Sequence, residues 1–75
     1  MERFIITFGQ QHCHRANGVT FDKDSVAVIK ANSHSHAREI AFELFDNKFG
    51  TSYTEEDFDE GGAIEFFPRG KFDAN

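Results

Sequence analysis

Val26-Ala27-Val28-Ile29-Lys30-Ala31-Asn32-Ser33-His34-Ser35-His36-Ala37-Arg38-Glu39-Ile40-Ala41-Phe42-Glu43-Leu44-Phe45 is the stretch that decides the fold. Its first six residues are apolar on both faces of an extended chain for most of their length, which is the pattern of a central strand. Its later part changes period. Ala37, Ile40, Ala41, Leu44 and Phe45 recur at helical spacing, and Phe49 closes the stripe. Glu39, Glu43, Asp46 and Asn47 fall elsewhere on the wheel and are expected to face water. Asn32 or Ser33 is placed to cap the helix start, Lys48 suits the dipole of a last turn, and Gly50 offers the left-handed residue that ends helices.

Outward from this stretch, Phe4-Ile5-Ile6-Thr7-Phe8 alternates, with Phe4, Ile6 and Phe8 on one face, and predicts a strand ended by Gly9. Residues 10–18 are polar and read as a loop. Val19 to Phe21 leads towards the next strand through an Asp22-Lys23-Asp24 turn. Beyond the helix, residues 51–54 read as a short extended piece and Thr54-Glu55-Glu56-Asp57 as a capped helical turn. Asp59-Glu60-Gly61-Gly62 is a turn signal, and Ala63-Ile64-Glu65-Phe66-Phe67 predicts a last strand stopped by Pro68. The tail, about 69–75, is expected to fray. The expectation is one α+β domain over residues 1–75: a small antiparallel or mixed sheet, in the order β-β-α-β, with one amphipathic helix packed on one face.

A chain of 75 residues buries a limited core, only about 60% of the surface its unfolded form exposes. Ten Phe, one Tyr and no Trp are an economical way to build it, since a Phe ring buries ~150–250 Å² and needs no hydrogen-bond partner. Ten rings exceed what so small a body can cover, and an exposed ring is a candidate contact point. A single Cys, Cys13, excludes an internal disulfide. The apolar runs are too short for a membrane span, and no basic start followed by an apolar run marks a signal peptide. The reading is therefore an intracellular protein, a monomer or small homo-oligomer, without membrane contact.

Charge is unevenly placed. Residues 1–50 carry six acids and six bases, whereas residues 51–75 carry seven acids against Arg69 and Lys71, so the whole net charge of −5 lies in the last third. An acidic balance argues against direct nucleic-acid binding, which needs clustered Lys and Arg to replace phosphate counterions.

His12-Cys13-His14 and His34-Ser35-His36 have the look of chelating pairs, and two such pairs could fill a tetrahedral zinc site. If the strands at 4–8 and 26–31 form an antiparallel hairpin, however, the two pairs sit at opposite ends, ~20 Å apart at ~3.3 Å per residue. Surface histidines and no metal are the expectation. Cys13 lacks the oxyanion-hole partners of a nucleophile. Glu55, Glu56, Asp57, Asp59 and Glu60 are too crowded on a small body to flank a sugar, and they lack the alternating ligands and central Gly of a calcium loop. Gly9 and Gly61-Gly62 open no phosphate-binding pattern. No catalytic residue and no cofactor is expected. What remains is an acidic recognition surface, with Tyr53 and Phe58 interleaved among Glu55, Glu56, Asp57, Asp59 and Glu60 as aromatic anchors. A weaker candidate is a small-ligand site, for a nucleotide or metal, formed by Gln10, His12 and Arg15. A structural or assembly subunit with an exposed sheet edge is a third reading.

Thr7-Phe8-Gly9-Gln10-x-His12, followed by Ala37-Arg38-Glu39, Phe42, Phe49-Gly50 and Tyr53-Thr54-Glu55, resembles a group of short proteins encoded by bacteriophages and prophages. The resemblance covers roughly residues 4–55. It departs at Ser52-Tyr53, where a Trp-containing segment is expected, and at the His-Cys-His loop. It implies a small phage accessory protein made in the bacterial cytoplasm, of a kind that binds and inhibits host machinery, including defence systems. On this reading the acidic last third engages a host protein, such as a nucleic-acid-processing or defence protein.

Overall fold

A computed structural model describes residues 1–75. The chain runs β1 (Glu2–Ile6), β2 (His14–Ala16), β3 (Val19–Phe21), β4 (Ser25–Ala31), α1 (His34–Phe45), β5 (Ser52–Thr54), α2 (Glu55–Glu60), a 3-10 turn (Ala63–Phe66) and β6 (Gly70–Asp73). The fold is α+β, and the sheet is mixed. Four strands lie in the order β5-β1-β4-β6, and β2 and β3 form a separate hairpin. β1 is antiparallel to both β4 and β5, with Ile5 opposite Val28 on one side and Tyr53 on the other. β6 runs parallel to β4, with Ala27 opposite Phe72.

Side chains alternate across the sheet, so β1 and β4 each feed two cores. Phe4 and Ile6 of β1 join Ala27, Ile29 and Ala31 of β4 on the face that α1 covers with Ala37, Ala41 and Phe45; Phe8, Phe21 and Ala74 complete that core. Ile5, Val26 and Val28 point the other way, onto Phe58 of α2, with Ala63 and Phe67 packed beside them. The expected single covered face is thus corrected: the second face is closed too, by α2 and the 3-10 turn. This explains why β4 is apolar on both sides. Phe4, Phe8, Phe21, Phe45 and Phe58 are buried, while Phe42 and Phe66 are left exposed.

Several boundaries differ from the sequence reading. Helix α1 starts as expected, with Ser33 Oγ accepting from the His36 amide at 3.1 Å. It ends at Phe45 rather than beside Gly50, because Asp46 takes the positive φ, at 56°. Gly50 serves close approach instead. Its N–H donates to the Thr7 carbonyl at 2.6 Å, and a Cβ there would stand 3.2 Å from Thr7 Oγ1. Leu44, assigned to the apolar stripe, is exposed; the buried line is Ala37, Ala41 and Phe45 at strict four-residue spacing. Inside the expected loop, Asn17-Gly18 has φ of 51° and 74°, the left-handed pair that closes a two-residue hairpin between β2 and β3.

The last strand is also displaced. Ala63–Phe66 coils because Gly62, at φ 67°, turns the chain, and local carbonyls then take the amides: Glu65 N–H donates to Gly62 and Phe67 N–H to Ile64. The tail expected to fray forms β6. Phe72 faces the α1-side core and Ala74 is buried in it, while the Ala74 N–H donates to Val28 at 2.9 Å. The Asn75 side chain bonds both the N–H and the C=O of Lys30, tying down the end.

Candidate protein-interaction surface

The acidic segment folds as it does because its residue types alternate in role around one short helix. Thr54 Oγ1 accepts from the Asp57 amide at 3.2 Å and starts α2. Glu55, Glu56 and Asp57 fill its first turn, where negative charge is favoured by the unpaired amides. Phe58 points inward. Its ring lies 6.0 Å from Tyr53 and 5.8 Å from Phe67 by centroid, buried against the sheet. Phe58 is therefore core and not a surface anchor, which corrects its assignment to the binding face.

Glu55 and Asp59 flank Phe58 and reach back to the sheet. Glu55 takes Arg3 Nε at 2.9 Å and Lys71 Nζ at 3.2 Å, and Lys71 also donates to Asp59 at 2.7 Å. The hydrogen bond from Arg3 holds the Glu55 carboxyl below its ordinary range, against the opposing effect of burial and with help from Lys71. Arg3 is correspondingly held more firmly charged by its hydrogen bond to Glu55. For Lys71, burial disfavours the charge, but hydrogen bonds to Asp59 and Glu55 outweigh it and shift the ammonium upward. These acids are clasps between α2 and the sheet. Asp73 is similarly engaged, 3.9 Å from Lys30.

Four acids of the last third remain without an ionic partner: Glu56, Asp57, Glu60 and Glu65. All four are exposed, on the layer formed by α2 and the 3-10 turn. Tyr53, on the edge strand β5, keeps 39% of its surface exposed, and Phe66, which the sequence reading placed in a strand, keeps 77%. A shallow concavity of about 330 Å³ lies at the start of α2, lined by Met1, Glu2, Arg3, Thr54, Glu55 and Glu56. The acidic face is thus narrower than the sequence suggested, and an aromatic unnoticed in the sequence lies in the same layer. Its one signal was the Phe66-Phe67 doublet, since neighbouring residues rarely share a side.

The other candidate, Gln10, His12 and Arg15, is dispersed over an open loop and the first strand of the hairpin. Gln10 and Arg15 are exposed, and no cavity gathers them. The histidines have separate structural tasks. His14 lies between Phe8 and Phe45 and donates from Nε2 to the Lys48 carbonyl at 2.7 Å, with His12 6.4 Å from it by centroid. His34 packs on Phe4 and shares a hydrogen bond with Ser52 Oγ at 2.8 Å. His36 Nδ1 accepts from the Asn32 amide at 3.2 Å. The two pairs stand at opposite ends of α1, whose 12 residues span ~18 Å at ~1.5 Å per residue. No three His, Cys, Asp or Glu side chains converge as metal ligands would. No helix is long and apolar enough to cross a membrane.

No protein family matches the chain, and no solved structure shows a significant match. Among curated proteins, a polyribonucleotide nucleotidyltransferase from Phocaeicola vulgatus is 30% identical over 73 residues. That alignment takes in 85% of this chain but only 10% of the enzyme, so the chain spans about a tenth of the length of its relative.

Proposed function

We propose that this chain is a non-enzymatic binding module of phage type, acting in the bacterial cytoplasm, which docks its α2 face onto a basic surface of a host protein. The observation that supports it is the division of labour among the acids. Glu55, Asp59 and Asp73 are used up in holding α2 and β6 to the sheet. Glu56, Asp57, Glu60 and Glu65 have no ionic partner; Glu56 and Asp57 suit the first turn of α2, but Glu60 and Glu65 lie beyond it, and repulsion among the four disfavours the compact state. Clustered charge of one sign steers an oppositely charged partner and raises the association rate. Tyr53 supplies a partly apolar contact at the border of this face.

The acidic sign of this face, and not any likeness to another protein, is what points to a partner class. Proteins that act on polyribonucleotides handle a polyanion and need cationic surfaces. An acidic face of this kind is complementary to such a surface, whereas direct contact with the nucleic acid itself is opposed by the net charge of −5. The partial likeness to a polyribonucleotide nucleotidyltransferase supports a second reading, in which a segment of this type is an accessory module within a longer nucleic-acid enzyme.

The test compares two immobilised baits in bacterial lysate at low and high salt. One is the parent chain, and the other carries Glu56, Asp57, Glu60 and Glu65 all changed to Lys. The expected result is salt-sensitive capture of a basic protein by the parent alone, with slower association measured afterwards for the variant on the purified partner. Equal capture by both baits, or capture indifferent to salt, refutes the acidic face as the interface.

A further inference from the structure

We propose that Phe66 is the apolar anchor of this binding face, and that the partner it fits is a basic protein surface with an apolar socket between its cationic side chains. This rests on the acidic-face reading and specifies it. Phe66 is the most exposed aromatic ring in the chain, at 77%, while the adjacent Phe67 turns inward against Phe58. A single exposed apolar residue is ordinary, so exposure alone decides nothing. Two further observations do.

The first is rigidity. The segment that carries Phe66 is tied at close intervals: Gly62 N–H donates to Asp59, Glu65 N–H to Gly62, Phe67 N–H to Ile64, Arg69 N–H to Asp24 and Gly70 N–H to Phe67. Ala63 and Phe67 pack on the second core from either side of the exposed residues. A ring held out on a backbone that is already ordered loses little entropy on binding, which is the property that makes aromatic residues effective anchors. The second is charge. Phe66 follows Glu65 directly and shares its layer with Glu56, Asp57 and Glu60, none of which has an ionic partner. An apolar ring next to one uncompensated carboxylate, in a layer whose other unpaired charges are also acidic, fits an apolar contact within a polar surround, and the sign of that surround favours a basic partner. Tyr53 then takes a border position, because its ring leans 6.0 Å from the buried Phe58 and stays more than half covered.

The alternative apolar feature, Phe42 against Phe49 on the outer side of α1, has its rings stacked edge to face on each other at 5.2 Å. It lies among Arg38, Glu39 and Glu43, with charges of both signs, and so selects no class of partner.

The probes are two synthetic peptides of equal length and charge, titrated into the isotopically labelled chain and followed by NMR. One is an oligolysine spaced with Ser. In the other, Leu replaces Ser at helical spacing, giving a basic amphipathic helix. The oligolysine is expected to shift α2 amides weakly and in a salt-dependent way. The amphipathic peptide is expected to bind at least tenfold more tightly and to perturb the Phe66 ring resonances. Phe66→Ser should remove that gain, return affinity to the oligolysine level, and leave the melting temperature unchanged. No gain for the Leu peptide, a gain that survives Phe66→Ser, or shifts centred on Phe42 and Phe49 would each overturn Phe66 as the anchor while the acidic-face reading stands. Failure of both peptides to shift α2 would refute the acidic face itself.

Discussion

Phe58→Ala separates a core role for α2 from a recognition role more sharply than any other single change. The ring is 2% exposed and stacked between Ile5, Val26 and Val28 of the sheet and the rings of Tyr53 and Phe67. Burying ~150–250 Å² at ~25 cal/mol per Å² gives roughly 4–6 kcal/mol for the whole ring, of which alanine keeps a small part. Truncations of this type cost about 3–5 kcal/mol. A chain of 75 residues has a total stability of about 4–11 kcal/mol at the usual ~0.05–0.15 per residue. The second core has only three other buried members and cannot close the gap by rearranging. Phe58→Ala should therefore lower the melting temperature by more than about 12 °C, at ~4–8 °C per kcal/mol, and leave the chain partly unfolded at 37 °C. Phe58→Leu, which keeps most of the volume, should cost less than about 1.5 kcal/mol. Urea denaturation followed by circular dichroism, with Phe66→Ala as the exposed control expected within ~0.5 kcal/mol, reads all three. A loss under about 1 kcal/mol for Phe58→Ala would mean that α2 does not close the second face. The ring would then be available to a partner after all.

The close approach after the helix and the helix end offer separate tests: Gly50→Val should destabilise by more than ~1 kcal/mol, because its Cβ would press on Thr7 Oγ1 and on the Thr7 carbonyl. Asp46→Gly should stabilise by about 1 kcal/mol by relieving a positive φ, and denaturation midpoints that move the other way would relocate the helix terminus. Ser33→Ala should cost about 1 kcal/mol through the lost cap to His36, while the exposed neighbour substitution Ser35→Ala stays near zero in the same thermal melts. For the Arg3–Glu55 clasp the folded-state carboxyl is lowered, so its stabilisation is fully present above the unfolded value of ~4.3 and is lost as pH falls through the folded one. Glu55→Gln should then be less stable than the parent at pH 7, by under about 1 kcal/mol for so open a pair, and equal to it at pH 2; a gap that persists in acid would assign the effect to packing.

What the sequence made legible was whatever depended on local period. β4, with apolar residues on consecutive positions, and the start of α1 are found where they were read, although the second cover of β4 and the earlier end of α1 at Phe45 were not. The errors fall where a short pattern has two solutions. Ala63–Phe67 is a short apolar run between a turn signal and Pro68 and reads as a strand, yet Gly62 coils it, and Ile64 and Phe66 are left outside. Residues 70–74 look like a polar tail, yet Phe72 and Ala74 alternate correctly for the parallel edge position beside β4. Nothing local distinguishes these cases, because the choice is made by which segment can reach the open edge of a strand more than forty residues earlier. Asn17-Gly18 is different, since the pair is a hairpin signal on its own terms and was legible from the start.

The same division governs the candidate surface. Counting charge along the chain locates an acidic third correctly, but it cannot say which acids are free, because their partners come from elsewhere: Arg3 from the first strand, Lys30 from the fourth and Lys71 from the last. Register puts Arg3 and Lys30 opposite each other, on the same sheet face as Lys71, and so brings three cations under the flank of α2 and the end of β6. The carboxylates they engage become part of the fold, and those one step further round the helix are left to the solvent. A charge reversal aimed at the sequence-level cluster would strike Glu55 and Asp59, unfasten α2 and lose binding for the wrong reason. Changing Glu56, Asp57, Glu60 and Glu65 leaves every clasp in place; Lys at 56 and 57 gives up favourable charge in the first turn of α2, so a loss of association in that variant is attributable to the face it presents when its melting temperature shows α2 still folded.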